Sequence, residues 1–174
     1  MKVIIIGAGF TGTQLAKRLI TDENDVVLID KDEETVRHAS NRLDCMVVHA
    51  NGNSLDTLVD VGIAKADALV AVTESDELNM ITCSLVQSLY PNVLKIARVR
   101  NEDYYPKVSS ISKTQQNALY GIDFMVHPDF EAAEAIVNAV EHGAVTDVLE
   151  FEDSPYEVAR VTIEKGSKLD GISL

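Results

Sequence analysis

Four short runs of continuous apolar residues set the limits on what this chain can become. Residues 3–6, 26–29, 46–48 and 68–72 carry no polar side chain, and residues 94–99 read as a fifth strand. A strand with one wet face alternates apolar and polar positions, whereas an unbroken apolar run is expected of a strand buried on both faces. Between these runs lie segments with helical spacing. Residues 11–20 place Leu15 and Leu19 four apart, and residues 32–42 are mostly polar with Val36 and Ala39 facing inward. Residues 53–61 are ended by Gly62. In residues 75–90, Leu78, Ile81, Leu85 and Leu89 recur at helical intervals before Pro91. Regular alternation of strand and helix calls for a parallel sheet with helices on both faces, and right-handed crossovers make it doubly wound. The predicted fold class is therefore α/β, a Rossmann-like doubly wound parallel sheet.

The pattern changes after residue 99. Residues 101–106 read as a loop, 107–119 as a polar helix and 121–126 as a last strand. Residues 130–142 form a helix with Ala133, Val137 and Val140 on one face, closed by Gly143. From residue 145 two segments, 145–151 and 157–163, look like antiparallel strands, and in the second Ala159, Val161 and Ile163 alternate with Arg160 and Thr162. This divides the chain into a sheet domain over 1–143 and, over 144–174, a linker with the start of a small α+β domain.

The chemistry sits at the first turn. Gly7-Ala8-Gly9-Phe10-Thr11-Gly12 is a GxGxxG that follows a strand and opens a helix, which is the context such a motif needs. The first glycine permits the tight turn, the second lets backbone approach a pyrophosphate, and the third lets helix pack on strand. Free N–H groups at the helix start then face the phosphates. Asp30 ends the second strand, 18 residues after Gly12, where a carboxylate accepts hydrogen bonds from a ribose 2′-hydroxyl and repels a 2′-phosphate. NAD is favoured over NADP, with Lys31 beside Asp30 weakening the preference slightly. Further polar residues fall at the carboxyl ends of strands, where ligands of such sheets bind. Gly52, Asn53 and Ser54 are placed to meet the adenine, Thr73 and Glu74 follow the fourth strand, and Asn79 lies one turn into the next helix. Arg98 and Arg100 end the fifth strand. Of the two, Arg98 is the better phosphate ligand, because an arginine inside an otherwise apolar strand needs an anion to justify it.

Composition narrows the function classes. The net charge of −13 disfavours nucleic acid or anionic lipid as partners of the bulk field. No apolar run approaches the ~20 residues that cross a bilayer, and no signal peptide is read before the first strand. Cys45 and Cys83 form no CxxC, and His38, His49, His127 and His142 show no ligand spacing, so no metal site is expected. There is no Tyr-x-x-x-Lys pair, Gly-x-Ser-x-Gly or P-loop. These absences favour a binding module over an enzyme. An NAD-dependent oxidoreductase fragment and a redox-sensing transcription factor are the competing readings.

Ile29-Asp30-Lys31-Asp32, the segment from Ala71 to Asn79 (VTESDELN after its alanine) and Ala97-Arg98-Val99-Arg100-Asn101, taken with the glycine motif, resemble the TrkA family. These are cytosolic regulatory subunits of potassium uptake, and their N-terminal domain is called RCK or KTN. The resemblance covers residues 1 to about 140, and the tail from Gly166 resembles the truncated entry to the family's C-terminal domain. It implies binding of NAD(H) or ATP/ADP, with Gly7, Gly9, Phe10, Thr11 and Gly12 on the pyrophosphate, Asp30 on the ribose, and Thr73, Asn79 and Arg98 completing the pocket. It also implies a homodimer, tetramer or larger ring, with residues 130–142 as dimerisation helix. The partner implied is an integral-membrane potassium channel subunit, reached from the inner face of the membrane without insertion. Two departures are visible: Phe10 stands where ATP-responsive members often have arginine, and Gly52-Asn53 where many have Gly-Asp.

Overall fold

The computed structural model describes residues 1–105, 119–142, 145–150, 157–161 and 165–166. The helix expected over 107–119 falls outside the described residues except for Leu119, and so does the tail from residue 167. The chain divides into two compact units, Met1–Pro128 and Asp129–Leu174.

The first unit is built on six parallel strands: β1 (Lys2–Ile6), β2 (Asp25–Asp30), β3 (Met46–His49), β4 (Ala68–Ala71), β5 (Leu94–Arg98) and β6 (Phe124–Val126). Their spatial order is β3-β2-β1-β4-β5-β6, so the winding reverses between β1 and β4, where a doubly wound sheet opens its ligand crevice. The helices α1 (Phe10–Thr21), α2 (Glu33–Ser40), α3 (Leu55–Asp60) and α4 (Asp76–Leu89) fill the crossovers. Period-2 geometry explains the unbroken apolar runs. Val3, Ile5, Val26, Leu28, Ala68 and Val70 pack with Ala16 of α1 and Ala39 of α2 on one face. Ile4, Ile6, Val27, Ile29, Leu69 and Ala71 pack with Leu58 of α3 and Met80, Cys83 and Val86 of α4 on the other.

Helix boundaries move inward by a residue or two wherever a side chain acts as cap. Asp32, Ser54 and Ser75 stand just before α2, α3 and α4, and each accepts the backbone N–H three residues on. The last strand of the unit is shorter than its sequence suggests. Leu119–Gly121 turn as a 3₁₀ segment, with Tyr120 at φ 63°, before β6 begins at Phe124.

Lys95, inside β5, is the bulkiest fully buried side chain among the described residues. Its Nζ donates to the carbonyls of Val93 at 2.7 Å and Pro91 at 3.2 Å and lies 3.0 Å from Asp123 Oδ2. The same carboxylate accepts the Lys95 backbone N–H at 2.7 Å, which ties the entry of β6 to β5.

The second unit contains α5 (Pro128–His142) and an antiparallel pair, β7 (Val145–Glu150) with β8 (Glu157–Val161). The sequence reading places the boundary after the helix, at residue 143. Phe130, Ile136, Val137 and Val140 of α5 are exposed. Among the described residues no helix is long and apolar enough to cross a membrane.

Candidate functional site

The carboxyl ends of β1, β2, β4 and β5 meet at a cavity of about 420 Å³. Its wall begins with the glycine turn. Gly7 has φ +104°, a conformation that side chains resist, and its N–H donates to the Ile29 carbonyl at 2.8 Å. A Cβ on Gly12 would stand 1.8 Å from the Gly7 carbonyl oxygen, so helix and turn touch there as backbone. Gly9 is different: a Cβ would meet nothing within 4 Å, although Gly9 lines the cavity. Nothing in the fold requires a glycine at that spot, whereas a ligand lying against the backbone would.

Gly9 is also the residue before α1, and α1 has no side-chain cap and no acidic residue in its first turn. The helices α2, α3 and α4 each have both. The first N–H groups of α1 and its partial positive charge are therefore left unmet by the chain itself, which is the electrostatic form of a phosphate site.

Asp30 faces this turn from β2. Its Oδ2 accepts the Ala8 N–H at 2.7 Å and its Oδ1 accepts the Asp32 N–H at 2.9 Å. The carboxylate thus holds the glycine loop to the β2–α2 turn. A carboxylate offers about four lone-pair positions, so two remain for hydroxyl donors from the cavity. Asp30→Asn is expected to lower stability as well as NAD affinity, each by roughly 1–3 kcal/mol. The amide keeps one acceptor and sets an NH₂ against a backbone N–H. Thermal unfolding with a binding titration checks this. Unchanged affinity would remove Asp30 from the ligand's contacts.

The opposite wall rests on Asn79, which is fully buried. Its Oδ1 accepts the Thr73 N–H at 2.9 Å and the Thr73 hydroxyl at 2.7 Å, and its Nδ2 donates to the carbonyls of Thr73 at 3.1 Å and Arg98 at 2.9 Å. Asn79 therefore fastens the end of β4 to the end of β5. Asp76, one turn earlier, ties the start of α4 to the segment after β5, accepting the backbone N–H groups of Arg100 and Asn101, each at 2.8 Å. Arg100 also donates to the Glu74 carbonyl. The Tyr104 hydroxyl donates to Glu77 at 2.7 Å and is the main reason that carboxyl lies below its ordinary range.

Held by this frame, Arg98 donates from Nη2 to the Thr73 carbonyl at 2.7 Å and reaches Thr11 Oγ1 at 3.5 Å. Its Nε is buried with no partner. Burial pulls the guanidinium below its ordinary value and the Arg100 charge adds to this, while Asp76 and Glu74 oppose it. No carboxylate forms an ion pair with Arg98 among the described residues. A partly desolvated cation facing an uncapped helix start is a site for an anion.

Of the residues singled out from sequence, Gly7, Gly9, Phe10, Thr11, Asp30, Lys31, Thr73, Glu74 and Arg98 line the cavity. Four do not. Gly12 lies behind the turn, Asn79 is the cross-link just described, Ser54 caps α3, and Asn53 stands outside the lining that its neighbours Asn51 and Gly52 form. Gly52, read with Asn53 and Ser54 as meeting the adenine, lines it, and so do Thr35, Asn51 and Leu78, which were not singled out. Among the described residues no cluster of His, Cys, Asp or Glu is arranged to hold a metal ion. Neither thiol is in the cavity. Burial pushes Cys83 up to about 12 and also raises Cys45. Alkylation of Cys83 in the folded protein at pH 8 should be slow compared with the unfolded chain, and equal rates would contradict its burial.

The TrkA-N domain family matches residues 3–128. The chain belongs to the TrkA-N family. Among its TrkA-N relatives, the "Trk system potassium uptake protein TrkA" of Haemophilus influenzae is 32% identical over the whole chain, which spans only 37% of that protein. The TrkA homolog of Methanothermobacter thermautotrophicus is 33% identical over 98% of the chain and 74% of its own length. The GsuK channel, solved bound to NAD, superposes with a TM-score of 0.63 at 26% identity, over 81% of this chain and 23% of that one. A GsuK structure bound to ADP matches with the same score, over 34% of that chain.

Proposed function

We propose that this chain is the nucleotide-sensing part of a cytosolic regulatory subunit, and that NAD(H) bound in the cleft biases a conformational equilibrium that gates a membrane potassium channel or transporter. The observation that carries the reading is the pairing of the uncapped α1 start at Gly9 with the unpaired, partly buried Arg98. The backbone of Gly9 to Gly12 and Arg98 would hold the pyrophosphate, and Asp30 the ribose hydroxyls.

Charge favours a dinucleotide over ATP. The cavity is lined by Asp30, Asp32 and Glu74 against Lys31 and Arg98. Hydroxyl-rich ribose suits that corner, whereas the extra charges of a terminal phosphate meet carboxylates instead of cations. At the helix start the side chain on offer is Phe10, 82% exposed. An adenine nucleotide such as ADP is the second reading, supported by the GsuK pair of structures.

The sensor reading is preferred to an oxidoreductase on the cavity's chemistry. A hydride transfer to a carbonyl needs a proton donor beside the reacting carbon. The hydroxyls in the lining are Thr11, Thr35, Thr73 and Ser75. Of these, Thr73 donates to Asn79, and Ser75 is the cap of α4. Regulation by the nucleotide requires different affinity for the two states it selects between. Association with a second copy through α5, whose apolar residues are exposed, supplies the pair of domains whose angle the nucleotide sets. The discriminating experiment is NADH incubated with the protein and a panel of small carbonyl compounds. NADH should be recovered unchanged, and steady oxidation abolished by Asp30→Asn would overturn the sensor reading.

A further inference from the structure

A second concavity, about 690 Å³, lies between α1 and α2 and shares Gly9, Phe10 and Thr35 with the main cleft. We propose that it is an anion site that takes a phosphoryl group. Its walls follow from helical spacing. Thr13 and Lys17 stand four apart on one face of α1, His38 lies in the last turn of α2 and Arg42 just beyond it, and all four line the groove. Gln14 and the apolar Ala8, Ala39 and Leu43 complete the lining. No carboxylate lines it.

The pairing of the neighbouring cations carries the argument. Arg18 lies 3.8 Å from Asp22 and Arg37 lies 3.8 Å from Glu34, and neither arginine lines the groove. Lys17 and Arg42 do line it, and neither side chain has an ion pair or hydrogen bond among the described residues. Two cations without an ion pair and no acid in the lining give the groove a local positive field in an acidic protein, while His38, also in the lining, lies 3.7 Å from Glu34. Arginine supplies the planar fork and lysine the point charge that phosphoryl oxygens accept. The small apolar residues leave room for the body of the ligand.

The phosphoryl group has two sources, an extension of the nucleotide in the main cleft or a separate phosphorylated molecule. The test is amide NMR of the protein titrated with inorganic pyrophosphate, with and without saturating NADH. The amides of residues 13–17 and 35–43 should shift saturably. The double variant Lys17→Glu, Arg42→Glu should weaken that response at least tenfold while the amides of residues 7–12 respond as before and circular dichroism stays unchanged. Loss of the groove response under NADH assigns the group to the nucleotide, and persistence assigns it to a separate ligand. Either supports the site. Absence of saturable shifts, shifts indifferent to the double charge reversal, or a response to an acidic peptide but not to pyrophosphate would overturn it.

Discussion

Gly9→Val is expected to weaken NADH binding at least about a hundredfold, or roughly 3 kcal/mol, while leaving the unfolding temperature within a few degrees of the parent. The two halves of that expectation come from one fact. A Cβ at Gly9 meets no protein atom within 4 Å, so the fold has space for the branched side chain, and the residue precedes α1 outside the helix, where a β-branched group is tolerated. The only thing displaced is whatever lies against the backbone at the uncapped helix start. Gly12→Val is the control with the opposite signature. There a Cβ would stand 1.8 Å from a backbone carbonyl that cannot swing away, so α1 must leave the sheet and stability itself is lost. Circular dichroism melts beside a binding titration separate the two. A Gly9→Val protein that binds NADH normally would take the glycine turn out of the site.

Asp123→Ala is expected to cost about 3 kcal/mol of stability, at the low end of the range for breaking a buried ion pair. Lys95 is 1% exposed and keeps its contacts to the carbonyls of Pro91 and Val93, but it loses its carboxylate. The side chain of Asp123 is 42% exposed, so water replaces part of the lost interaction and holds the cost below the upper end. The same change frees the Lys95 backbone N–H at the start of β5. Adding Lys95→Met should recover much of the loss, because an unpaired buried ammonium is worse than an apolar chain of similar length. Urea unfolding of the single and double variants measures both. A double variant no more stable than Asp123→Ala would mean that the ammonium carries no buried charge penalty.

The sheet was legible because its strands are buried on both faces, which leaves unbroken apolar runs such as residues 3–6 and 68–72, and the glycine turn was legible because its context is local. What sequence could not supply was the direction of side chains fixed by distant parts of the chain. Asn79 reads as a ligand contact from its place one helical turn beyond β4. Its four hydrogen bonds instead run to Thr73 and Arg98, and only the packing of α4 on two strand ends reveals that. Ser54 and Asn53 stand at the right end of the sheet, but the hydroxyl of Ser54 is engaged by α3. Thr35, Asn51 and Leu78 reach the cavity from three different crossovers with no local signal. Lys95 and Arg98 are cations in the same strand. The former is matched by Asp123, 28 residues on, and the latter by no carboxylate. A cation in an apolar strand calls for an anion, and only the structure shows that the chain answers Lys95 and leaves Arg98 without a carboxylate.

Nucleotide binding at the α1 start with Arg98 as the charged contact is measured directly by calorimetric titration of NADH, NAD, ADP and ATP into the parent protein and Arg98→Met. NADH or NAD should bind saturably at one site per chain and more tightly than ATP, with the affinity falling at least about tenfold, or ~1.4 kcal/mol, in the variant. No saturable binding of any of the four to the parent protein, or binding that Arg98→Met leaves unchanged, would contradict it.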